Sequence, residues 1–134
     1  MEINDYKEIN ALNKLLGKVK FQSDLDFYEF REFAASPIIA EIYKRLNEEF
    51  WNESVKLGYL RLEQRQNYKF EFDSAIGRTL RMRVDELTTQ EKETLIKYDN
   101  IEFYVRTLIS PLEVEEIELA KLVNYANERI KTST

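Results

Sequence analysis

The 134-residue chain contains no histidine and no cysteine. Those missing side chains exclude Cys/His and Ser/His nucleophile pairs, zinc held by thiolate or imidazole, haem ligation by either residue and the ordinary histidine proton switch. No disulfide can form. Glycine and proline are also scarce, at three and two residues, so no linker or low-complexity stretch divides the chain, and a single domain over 1–134 is expected. Long apolar runs are missing as well. Stretches such as Ser36-Pro37-Ile38-Ile39-Ala40 fall far short of a membrane span. The opening Met1-Glu2-Ile3-Asn4-Asp5 is acidic and polar where an export signal is basic and then apolar. A cytoplasmic protein with no membrane segment is the expectation.

What remains is a chain rich enough in apolar residues to fold: 43% hydrophobic and 13% aromatic, against 34% charged, with a net charge of −5. Tyr6, Ile9, Leu12, Leu16 and Val19 recur at three- and four-residue spacing, which predicts a helix beginning near Asn4 or Asp5. Ser23 before Asp24-Leu25-Asp26 predicts a second helix over 23–34, crowded with Phe27, Tyr28, Phe30 and Phe33. Four rings in seven positions do not fit one stripe, so this helix is expected either to be covered by protein on two sides or to expose part of a sticky face. Ser36-Pro37 is a helix start, serine as cap and proline in the first turn. Ile39, Ile42, Leu46, Phe50 and Leu57 mark the inner side of the long helix that follows, and Gly58 suits its left-handed end.

Beyond Gly58 the spacing shifts to alternation. Tyr68-Lys69-Phe70-Glu71-Phe72-Asp73 and Leu80-Arg81-Met82-Arg83-Val84-Asp85, joined by Ser74-Ala75-Ile76-Gly77, predict a β-hairpin with Tyr68, Phe70, Phe72, Leu80, Met82 and Val84 facing inward. Residues 59–62 fit either strand or helix. Thr88-Thr89-Gln90-Glu91 has capping-box spacing and opens a short helix to about Tyr98. Ile101, Phe103, Val105, Thr107 and Ile109 alternate with Glu102, Tyr104, Arg106 and Leu108 as one further strand. Ser110-Pro111-Leu112-Glu113 opens a last helix to about Lys131, with Leu112, Leu119, Val123, Ala126 and Ile130 inside. The expected class is α+β: a helical first half, a small antiparallel sheet with a hairpin, a short helix, a strand and a long closing helix. In outline this order is similar to the secretion chaperones that bind effector segments as dimers, which implies a dimeric binding protein. The three leading helices depart from that layout, and no motif is shared.

Charge is uneven along the chain, with seven basic and three acidic residues between Lys56 and Val84. On a sheet, Arg61, Arg65, Lys69, Arg78, Arg81 and Arg83 would form a basic face able to meet an acidic protein surface. A nucleic acid is the alternative occupant. It is less favoured, because alternation turns the aromatics away from the arginines and the chain as a whole is acidic. A solvated face with Glu71 opposite Arg81 or Arg83 is the bland reading.

No motif points to chemistry. Carboxylate pairs such as Glu49 and Glu53, or Glu113 and Glu116, are what a solvated helix face presents anyway. A di-iron bundle needs histidines, and no spaced Asp/Asn loop suggests calcium. Gly17, Gly58 and Gly77 are too isolated for a phosphate loop, and Ser74-Ala75-Ile76-Gly77-Arg78 reads more simply as a turn. The sequence therefore points to a protein that is not an enzyme and carries no metal or cofactor. It would act by occupying the surface of another protein, or of a second copy of itself. Adaptors, inhibitors, immunity proteins, chaperones and the regulatory accessory proteins of phages and mobile elements have this character. Phe27, Phe30 and the six cations between Arg61 and Arg83 are the candidate contact residues.

Overall fold

Six helices carry the described residues of the computed structural model, which are 5–21, 33, 35–61 and 69–132. They are α1 (Tyr6–Phe21), α2 (Pro37–Lys56), α3 (Ala75–Asp85), α4 (Thr89–Lys97), α5 (Ile101–Ile109) and α6 (Glu116–Thr132). The α+β expectation is overturned. Among these residues there is no sheet, only an isolated parallel bridge between Lys69 and Glu113. The likeness in layout to secretion chaperones goes with it. The helix expected over 23–34, with Phe27 and Phe30, and the positions Arg65 and Tyr68 lie outside the described residues, apart from the helical Phe33.

The capping signals at Ser36-Pro37, at Thr88 with Glu91 and at Gly58 agree with the structure. Ser36 holds an extended backbone and its hydroxyl accepts from the Ile39 N–H at 3.3 Å, with Pro37 in the first turn of α2. At the other end Gly58 has φ +80, the Tyr59 N–H reaches the Ser54 carbonyl at 2.9 Å and the Gly58 N–H that of Val55 at 3.1 Å. This pairing consumes carbonyls that a helix end leaves without partners. Thr88 and Glu91 form a reciprocal capping box at the start of α4. A second left-handed residue, Asp99 at φ 51, closes α4, and the Asn100 N–H returns to Leu95.

Of the first hairpin strand, the described residues 69–73 run as a loop and turn. The second hairpin strand and the later strand fail for one reason: their apolar residues satisfy the helical period as well as the alternating one. In α3, Ile76, Leu80 and Val84 recur every fourth residue; Leu80 and Val84 are fully buried and Met82 is 44% exposed. Ser74 tips the balance toward helix, since its hydroxyl accepts from the Gly77 N–H at 3.0 Å while its own O–H donates to the Glu71 carbonyl. In α5, Ile101, Tyr104, Val105, Leu108 and Ile109 all point inward. Alternation had placed Tyr104 and Leu108 outside. Glu102 and Arg106, one turn apart on the outer face, pair at 3.3 Å.

Ser110-Pro111 does not start the last helix. The Ser110–Pro111 peptide is cis, and residues 110–115 run as a connection whose Glu113 carbonyl accepts the Phe70 N–H at 2.7 Å. α6 then begins at Glu116 and buries Leu119, Leu122, Ala126 and Ile130 against α3, α4 and α5. The main core is Leu80 and Val84 of α3, Val105, Leu108 and Ile109 of α5, and the α6 stripe, with Phe70 inserted from the preceding loop.

α1 packs along α2 in the opposite direction. Tyr6 meets Phe50 and Tyr59, while Phe21 at the other end meets Tyr43. The inner side of α2 is Ala40, Tyr43, Trp51 and Ser54. Ile42 and Leu57, expected inside, are exposed. Gly17 lets α1 approach closely, because a Cβ there would stand 3.0 Å from the Tyr43 hydroxyl.

Candidate functional site

The cations expected to share one sheet face are dispersed by the helices. Arg61 is exposed just beyond α2. Lys69 pairs with Glu115 at 3.5 Å on the surface, a contact worth about 0.2–1 kcal/mol. Arg81 lies with its guanidinium 4.4 Å from the Phe72 ring centroid, and Phe72 meets Tyr125 edge-on at 6.1 Å. The Tyr125 hydroxyl in turn donates to both carboxylate oxygens of Asp85, at 2.7 and 2.9 Å. Burial and that hydrogen bond hold the Tyr125 phenol above its usual pKa. This row of side chains braces α3 against α6.

Arg83 is removed from any contact surface. It is 3% exposed, and its Nη2 donates to the Val19 carbonyl in the last turn of α1 at 3.1 Å. Burial pulls its pKa down, opposed by the nearby Glu86 and Tyr104. Its charge serves the fold, as a cation at the negative end of a helix dipole.

Of the described candidates, Arg78 stands at a concave surface. It borders a groove of about 950 Å³ between α1 and α3. The floor is apolar, built from Phe21, Tyr43, Ile76 and Met82, and Lys14 and Lys18 stand on the α1 side. Those lysines are one helical turn apart because they are four residues apart. Among the described residues no acidic side chain lines the groove. Lys14, Lys18 and Arg78 are all exposed, and none is engaged in an ion pair among the described residues. The first turn of α3, Ala75 and Ile76, also faces the groove and adds the positive end of its dipole. Lys14 and Lys18 escaped the sequence reading, although their four-residue spacing on α1 was visible. Their meeting with Arg78 depends on tertiary packing.

Asn13 and Tyr43 line this groove and also a smaller pocket of about 270 Å³. Asn13 Oδ1 is buried there with no hydrogen-bond partner, a condition that costs about 1–3 kcal/mol. Burial pushes the Tyr43 phenol up to about 12, so it stays neutral.

Among the described residues no group of acidic side chains is arranged to hold a metal ion, and no helix is long and apolar enough to cross a membrane. No family model, curated protein or solved structure matches the chain.

Proposed function

We propose that this protein is a non-enzymatic interaction module whose α1/α3 groove receives an acidic amphipathic segment of another protein. The observation that supports this reading is the three cations without an ion pair, Lys14, Lys18 and Arg78, around an apolar floor with no acidic side chain among the described lining residues. Elsewhere on the surface Lys69, Arg106 and Lys121 each have a carboxylate partner. An incoming segment with Asp or Glu on one side and Leu, Phe or Met on the other satisfies both features of the groove. Apolar contact gives affinity, and the charges set orientation and approach rate. The nucleic-acid alternative rested on a basic sheet, and the described residues contain none.

A labelled short peptide, designed as a helix with glutamates on one face and leucines and phenylalanines on the other, is the probe. Lys14→Glu/Lys18→Glu/Arg78→Glu is expected to weaken its binding by about tenfold or more, and Lys69→Glu to leave it within about twofold. Equal binding to both variants refutes the groove. Competition by a single-stranded oligonucleotide with a steep salt dependence transfers the site to nucleic acid.

A further inference from the structure

The smaller pocket has a chemistry of its own, opposite in sign to that of the groove. Its walls are Tyr43, Phe50 and Trp51, with the Phe50 and Trp51 rings 6.0 Å apart and edge-on. Among the described residues its polar lining is Asn13, Asn47 and Glu113, with no lysine or arginine. Two features call for a donor. Asn13 Oδ1 is a buried acceptor without a partner, and the Glu113 side chain has neither an ion pair nor a hydrogen bond among the described residues. Aromatic faces carry partial negative charge and attract cations. At about 270 Å³ the space is near the lower end of small-ligand pockets, which limits the occupant to a body of about one ring.

From this set we infer a second binding site, for a small organic cation: a primary ammonium or guanidinium carried on an apolar, ring-sized body. The ring packs between Tyr43, Phe50 and Trp51, and the N–H donors serve Asn13 Oδ1 and the Glu113 carboxylate. An anion is repelled by Glu113. This site takes the opposite charge to the groove's occupant, although the two share Asn13 and Tyr43 as walls.

Trp51 is the only tryptophan, so its emission reports the pocket directly. Phenethylammonium is expected to change that emission saturably. The neutral 2-phenylethanol should bind about tenfold more weakly and phenylacetate more weakly still. The same cation also occurs as a lysine side chain; an acetylated Phe-Lys-Phe amide separates a free amine, which it fails to displace, from a peptide, which it does. Glu113 is exposed and its backbone carbonyl bond to Phe70 survives substitution, so Glu113→Gln keeps the fold, as circular dichroism will verify. That variant should lose about fivefold or more in phenethylammonium affinity. No saturable response, equal affinity for 2-phenylethanol, or an unchanged Glu113→Gln variant each overturns the site.

Discussion

The Lys20 ammonium lies 2.6 Å from the Thr107 carbonyl, and the lysine is 1% exposed. Thr107 belongs to the last turn of α5, so Lys20 of α1 supplies an N–H donor to the C-terminal end of α5 much as Arg83 of α3 does to the end of α1. These crossed contacts tie the α1/α2 pair to the α3/α5/α6 core. They also make stability depend on pH.

Burial lowers the Lys20 pKa from 10.5 to about 7. Between those values the unfolded chain binds the proton that the folded chain has released, so stability rises with pH across this window, by at most about 1.4 kcal/mol per pH unit. Below about 7 both states are charged and the contribution is at its minimum. Wild type is therefore expected to gain stability relative to Lys20→Met from pH 7 toward pH 10 in urea unfolding. The series should stop short of pH 10, where the raised pKa of Tyr43 begins to reduce stability. Parallel curves for the two proteins contradict the assignment.

Helix and strand make opposite predictions for two neighbours in α5. Tyr104 is 9% exposed and Phe103 is 56% exposed. Tyr104→Ala should cost about 3 kcal/mol, and Phe103→Ala less than about 1 kcal/mol. Chemical denaturation checks both. The reverse order restores the strand.

That pair also shows what the sequence could and could not reveal. Capping chemistry is local: Ser36-Pro37, Thr88 with Glu91 and Gly58 each act within one helical turn, and each was legible. Residues 80–85 and 101–109 are apolar at both spacings, and weight given to alternation concealed the complete helical stripe of Ile101, Tyr104, Val105, Leu108 and Ile109. The fate of Arg83 and Lys20 was not legible at all. Long-range packing brings helix ends to these cations, and nothing within several residues of either one signals it. The candidate site shows the same division, since Arg78 was singled out while Lys14 and Lys18 become its neighbours only through the α1/α3 packing.

Two glycines separate steric from conformational need. A Cβ on Gly77 would stand 2.0 Å from the Phe72 carbonyl oxygen, whereas one on Gly58 meets nothing within 4 Å but occupies φ +80. Gly77→Ala is expected to cost about 3 kcal/mol, since the 71–72 backbone must move, and Gly58→Ala about 1 kcal/mol. Thermal unfolding of both variants tests the ranking.

Asp99 occupies the left-handed region at φ 51 in a position that glycine favours. Asp99→Gly should stabilise the protein by about 0.5 kcal/mol, the relief of strain being partly offset by greater freedom in the unfolded chain. A lowered denaturation midpoint contradicts this.

Met82 lines the groove and is one of two methionines, the other being Met1. Its methyl resonance in methyl-labelled protein therefore reports the proposed interface directly. Titration with the acidic amphipathic peptide is predicted to shift the Met82 signal saturably in wild type, and to leave it in place in Lys14→Glu/Lys18→Glu/Arg78→Glu. A peptide that binds without moving Met82, or that moves it equally in the charge-reversed protein, contradicts the account.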